Sequence, residues 1–198
     1  MVVTMIRRTA LYYIFLQLTL ISIGATCIDV FWMNDVISSF CLTKLLQAFI
    51  TGVILFIYSL NARKKTQMQS LYLLFSSLFL CLFVKRINPM ISDSDIWVWL
   101  DTLIIIITVP FLVKNRQHLV RSLHNYMKTS SWGLMLAGIY TIFVFSNFSG
   151  LPMLWEFALD NAHQQDAVNL MTEMSALFGY NLLFFSTLHH FSFSGINA

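Results

Sequence analysis

The chain has 198 residues, 58% of them hydrophobic, 15% aromatic and only 11% charged, with a mean hydropathy of +0.72. A water-soluble domain needs roughly a quarter of its residues charged, so a soluble fold is excluded and the composition is that of an integral membrane protein. The net charge of +3, from 12 Lys and Arg against 9 Asp and Glu, is too small and too scattered for a nucleic-acid surface.

Crossing ~30 Å of hydrocarbon takes about 20 helical residues. Six apolar runs of that order follow one another, at about 11–33, 36–60, 68–84, 96–113, 131–148 and 167–188. The expected fold is all-α, a polytopic bundle of six transmembrane helices forming a single transmembrane domain over residues 1–198. A transmembrane β-barrel would show alternating segments of ~10 residues in place of unbroken runs. The first run follows Arg7 and Arg8 as a signal peptide would, but it is long for one, and Thr26 before Cys27 is a poor cleavage context, so it reads as the first helix. Cys27, Cys41 and Cys81 each sit in an apolar run with no CxxC or Cys/His spacing, and read as packing residues.

The breaks between runs set the orientation. With the N-terminus cytoplasmic, the inner segments hold Arg7, Arg8, Arg63, Lys64, Lys65, Lys114, Arg116, Arg121 and Lys128, nine of the 12 cations. That satisfies the positive-inside rule and places both termini in the cytoplasm. The acids Asp29, Asp35, Asp93, Asp95, Asp101, Glu156, Asp160, Asp166 and Glu173 then all fall outside or in the outer half of a helix. The basic stretch after the fourth run, with Leu119, Leu123 and Tyr126 or Met127 at helical spacing, reads as a continuation of that helix or a helix on the headgroups; the sharper reading is a docking helix for a partner. The outer loop carrying Leu154, Phe157 and Ala158 is expected to be a short amphipathic segment. Trp97, Trp99, Trp132 and Trp155 fall at expected water interfaces, where indoles are ordinary anchors.

A charge well inside a span costs about 2.5–3.5 kcal/mol on insertion scales, so such groups turn inward and pair. Glu173, Asp101, Lys44 and Asp29 lie four to eight residues below the outer ends of their helices, a depth of ~6–12 Å, and Lys85 and Arg86 close the third helix on the same side. The six are expected to share one layer, where three cations and three anions would permit internal neutralisation, with no pairs assigned by the sequence. Polar stripes lead to them: Ser22, Thr26 and Asp29; Lys44, Gln47 and Thr51; Ser70, Ser77, Cys81 and Lys85; Asn169, Glu173, Tyr180 and Thr187. They read either as interhelical glue or as the lining of an outward-opening cavity, with Gln47, Thr51, Cys81, Asn169 and Tyr180 on its wall.

The histidines favour no cofactor. His118, His124 and His163 fall between helices, and the adjacent His189 and His190 point to different faces, so neither a bis-His haem nor a zinc site is expected. No phosphate-cradling loop, nucleophile elbow, HExxH or internal repeat occurs, so no catalytic residue is assigned. Asn147-Phe148-Ser149 fits a glycosylation sequon at a helix end.

The stretches "LCLFVKRINPM" and "NLMTEMSALFGYNLLF" resemble uncharacterised small polytopic bacterial inner-membrane proteins, in which the third helix ends in a basic-acidic motif and the last begins with one or two Glu ahead of a small-residue face. Lys85 and Arg86 keep the base, Ile87 and Asn88 stand where the acid is expected, and Glu173 alone represents the acidic pair. The resemblance implies a similar bundle and a basic-acidic contact between helices three and six, and no activity. The function expected is therefore that of a non-enzymatic accessory subunit or partner-binding factor in a bacterial inner membrane, its partners the bilayer and a membrane protein or a second copy. The alternatives are a small transporter or channel component using Glu173 and Asp101, and a membrane hydrolase.

Overall fold

In a computed structural model the chain is helical, apart from short turns, over the residues it describes: 2–31, 41–64, 66–91, 96–149, 151 and 161–194. The helices are α1 (Val2–Phe31), α2 (Leu42–Ala62), α3 (Gln69–Ile91), α4 (Ile96–Lys114), α5 (Arg116–Met127) and α6 (Ser130–Tyr140). A π turn at Thr141–Phe145 then leads into the short α7 (Ser146–Ser149), and α8 covers Asn161–Ser194. Asp35, Asp93, Asp95, Trp155, Glu156, Asp160 and the expected amphipathic segment around Leu154 lie outside the described residues, as does the side chain of Asp166.

Five helical stretches are long and apolar enough to cross a membrane: Thr9–Asp29, Leu42–Ala62, Gln69–Asn88, Trp97–Lys114 and Ser130–Phe148. The sixth expected span, 167–188, falls inside α8, whose 34 residues are ample in length. Its Glu173, Asn181, Ser186 and Thr187 make it the least apolar of the long helices. Several helices also outrun their apolar stretch: α1 starts well before residue 11 and α3 continues through Lys85 and Arg86 to Ile91. Hydropathy marks where lipid ends, whereas backbone hydrogen bonds continue for as long as local geometry allows.

The described contacts divide the chain into two compact units, residues 1–47 with 133–198, and residues 48–132. In the first, α1 and α8 run antiparallel, with the ring of Phe15 5.0 Å from that of Phe185 and 6.5 Å from that of Phe178. On another side, α8 meets α6 and the π turn at two glycines. A Cβ on Gly138 would lie 2.9 Å from the Gly179 carbonyl oxygen, and one on Gly179 would lie 2.6 Å from Ile142 Cγ1 and 3.1 Å from the Ile142 nitrogen. Only glycine lets these backbones approach so closely. The π turn sits at this crossing; Asn147 Nδ2 donates to Phe143 O of the turn (2.7 Å), and Thr141 Oγ1 to Ala137 O of α6 (2.7 Å). Asn147, the sequon residue, is thus bonded within its own helix.

The second unit has an aromatic core. Tyr58 of α2 is fully buried, stacked on Phe79 at 5.6 Å and edge-on to Phe75 at 5.3 Å. Phe75 in turn meets Tyr126 of α5 at 5.3 Å. Ser122 Oγ donates to Gln67 O (2.6 Å) at the turn before α3. The basic segment is therefore a separate helix folded back on α3, neither a straight extension of α4 nor free of the fold; Asn115, with φ −104° and ψ 24°, makes the break. Its buried residues are Ser122 and Tyr126, while Met127 is exposed. Arg116, Arg121 and Lys128 remain on the exposed side.

Candidate functional site

Nothing in the sequence just before α2 supplies an N-cap: Cys41 precedes Leu42, and a thiol is a poor acceptor for the free N–H groups of a first turn. The missing acceptor comes from α1. Asp29, only 2% exposed, receives Leu42 N on Oδ1 (2.9 Å) and Thr43 N on Oδ2 (2.7 Å). The Thr43 hydroxyl also donates to it, and the Cys41 thiol lies beside it. A carboxylate offers about four acceptor positions, and Leu42 N, Thr43 N and the Thr43 hydroxyl use three of them. Its negative charge also faces the positive end of the α2 dipole. The sequence assigned Asp29 no particular partner; the main-chain donors of a helix start are among those it has.

One turn further along α2, Gln47 is fully buried and its Nε2 donates to both the carbonyl oxygen and Oε2 of Glu173, each at 3.0 Å. Lys44 and Glu173 both act electrostatically on Cys41. Asp29, Lys44, Gln47 and Glu173 thus gather around the start of α2, and the carboxylate that stood out in α8 belongs to this group.

The other half of the expected charge layer lies in the second unit. Asp101 of α4 lies beside the Cys81 thiol of α3 and within reach of the charge of Lys85. Lys85 Nζ stands 5.8 Å from the centroid of the Trp97 ring, a cation–π distance, so this indole has a partner as well as an interfacial position. Arg86 is half-buried. Asp29, Lys44 and Glu173 belong to the first unit, and Lys85, Arg86 and Asp101 to the second. Of the expected cavity wall, Thr51 and Tyr180 are buried and Cys81 and Asn169 half-buried.

Between α1 and α8 the first unit encloses a half-open cavity of about 150 Å³, whose polar wall is Thr19, Ser22, Thr26 and Asn181. Asn181 is fully buried and its Nδ2 donates to Ser22 Oγ at 2.7 Å. It was not among the residues that sequence reasoning singled out. The signal was present: Asn181 interrupts the apolar run of α8, and an amide at that depth calls for a partner.

A scan against protein-family models, a search of the curated proteins and a search of the solved structures find no significant match to the chain. The likeness to small inner-membrane proteins therefore rests on the two stretches quoted above.

Proposed function

We propose that the protein is a non-enzymatic, multi-pass protein of a bacterial inner membrane, acting as an accessory or partner-binding subunit. The observation that supports this most directly is the bareness of α4. From residue 98 to 113 only Leu112 is buried, and the consecutive Ile105, Ile106 and Ile107 are 54%, 62% and 66% exposed. Three successive helical residues cover some 200° of the circumference, so α4 shares one edge with α3 and offers the rest outward. In lipid, helix association is driven by packing rather than by expulsion of water, and a helix so little packed within its own chain has the most to gain from a helix of another. The engagement of Asp29 by the start of α2, and of Glu173 by Gln47, supports a structural duty for these acids over a proton or cation path.

In this reading α8 is the sixth span and both termini are cytoplasmic. Its polar Asn181, Ser186 and Thr187 are buried while the apolar Met171 and Phe178 are exposed, the distribution a lipid-embedded helix requires. Exposed Arg63 and Lys64 of the α2–α3 turn stand at the same end of their unit as α5, tied there by the Ser122–Gln67 bond; this end faces the cytoplasm. Purification in a mild detergent tests the proposal. A stoichiometric membrane partner or a second copy is expected to elute with the chain, and charged substitution at Ile106 to release it without loss of the folded protein. A monodisperse lone chain overturns the reading.

A further inference from the structure

The basic helix α5 gives one side to the protein and leaves the other bare. Ser122 and Tyr126 are buried, the Ser122 hydroxyl donating to Gln67 O and the Tyr126 ring lying 5.3 Å from Phe75 and 5.9 Å from Trp132. At about 100° per residue, Arg116, Val120, Arg121, His124, Met127 and Lys128 fall on an arc of ~140° turned away from those contacts, and all six are exposed. Arg116, Val120, Arg121 and His124, with Gln117, line one open hollow there. No Asp or Glu occurs between Asp101 and Glu156, and Asp101 stands ~20 Å along α4 from Lys114. The positive charge of this arc therefore has no answer on its own stretch of chain.

Where α5 stands decides what can answer it. Arg116 comes directly after the membrane-crossing stretch Trp97–Lys114 and the single residue Asn115, and Met127 is followed within a few residues by the stretch Ser130–Phe148. Joints that short hold both ends of an ~18 Å helix at the level where hydrocarbon gives way to headgroups. Tyr126 adds a third tether, because Phe75 lies inside the crossing stretch Gln69–Asn88. A basic arc at that level stands among phosphodiesters, and anionic lipids supply the missing counter-charge. The guanidinium groups of Arg116 and Arg121 suit phosphate, which they can take through paired N–H donors. Val120 and Met127, 66% and 49% exposed in the same arc, favour lipid over nucleic acid or an acidic protein segment, since a bilayer places an apolar layer directly beneath its phosphates. We propose that the outward arc of α5 binds anionic phospholipid headgroups, with Arg116, Arg121 and Lys128 on the phosphodiesters and Val120 and Met127 against the first carbons of the acyl chains. The proposal requires residence in a membrane but no partner protein, so it fails or holds independently of the accessory role.

The test places the full chain in phosphatidylcholine nanodiscs with a small share of spin-labelled phosphatidylglycerol or, in parallel, spin-labelled phosphatidylcholine. Electron spin resonance then reads the fraction of each label that the protein immobilises. In 0.1 M NaCl phosphatidylglycerol is expected to associate at least about three-fold more strongly than phosphatidylcholine. In 1 M NaCl that preference should fall by more than half, as the screening length drops from about 10 Å to about 3 Å. The triple substitution Arg116→Gln, Arg121→Gln, Lys128→Gln is expected to bring the two lipids close to parity, whereas Arg63→Gln with Lys64→Gln in the α2–α3 turn keeps most of the preference. Should the triple variant fail to fold, Arg121→Gln alone reports the same loss at smaller size. Equal association of the two lipids with the unaltered chain overturns the proposal in favour of an arc kept for an acidic protein segment. A preference that survives the α5 substitutions overturns it in favour of cations elsewhere on the chain.

Discussion

The two units are built from the same kind of apolar helix, yet they hold together differently. Residues 48–132 are centred on rings, Tyr58 against Phe79, Phe75 and Tyr72, with Tyr126 brought in from α5. The unit of residues 1–47 and 133–198 relies on close backbones at Gly138 and Gly179 and on polar bonds: Asp29 to the start of α2, Gln47 to Glu173, Asn181 to Ser22. Lipid is as apolar as leucine, so neither arrangement draws on the hydrophobic effect as a soluble core does. One obtains dispersion from large flat surfaces. The other obtains it from near contact of main chains, with hydrogen bonds that fix which faces meet. Substitutions should separate the two, because rings fail gradually and close crossings fail at once.

The largest effect is expected at the glycine crossing. Gly179→Leu places a side chain where even a Cβ would be 3.0 Å from the Gly138 carbonyl oxygen and 3.1 Å from the Ile142 nitrogen; main chain on two sides cannot yield, and folded protein should disappear from detergent extracts. Gly179→Ala, with only the Cβ to accommodate, should fold with a loss of about 1–3 kcal/mol. Recovery of the Leu variant at wild-type level with an unchanged unfolding midpoint would mean that the close crossing is not what holds this unit. In the ring-centred unit, Phe79→Ala removes a fully buried side chain stacked on Tyr58 and should cost about 3–5 kcal/mol in an SDS unfolding titration from bicelles, with the protein still folded at zero denaturant. A loss below about 1 kcal/mol would deny the rings their central place.

Five of the helices could be read from apolarity alone because length and composition suffice for a span. The inner faces of α1 and α2 could be read as well: Ser22, Thr26 and Asp29 recur at three- and four-residue spacing, as do Gln47 and Thr51, and all five are buried. What those faces touch could not be read. Asp29 stood out by its charge, the property a sequence displays, whereas the donors from Leu42 and Thr43 include main-chain N–H groups that every residue but proline carries. Gly138 and Gly179 are 41 positions apart, too far for any spacing rule to couple them. Asn181 was passed over because its neighbours on the stripe, Tyr180 and Thr187, fit the period and it does not. The limit in each case is the same: periodicity reports a face, and only the neighbouring helix decides its chemistry.

The smallest effect, and the finest test of the contrast, concerns Asn181 and Ser22. Hydrogen bonds between membrane helices are worth ~0.6 kcal/mol on average, which sets the lower bound for removing this one by Ser22→Ala. The loss should exceed the average because Asn181 then keeps a buried amide with neither head matched, and an unmet polar group costs more than a lost bond. A value of about 1–2 kcal/mol follows. Pairing Ser22→Ala with Asn181→Leu removes both polar groups at once, and most of the loss should return, since two apolar faces pack well in a lipid-facing groove. The double-mutant cycle in bicelles would then give a coupling of about 1 kcal/mol. Additive losses, with no recovery in the double variant, would show that the two side chains act separately, leaving the glycine crossing to fix α8 without help from the α1 face.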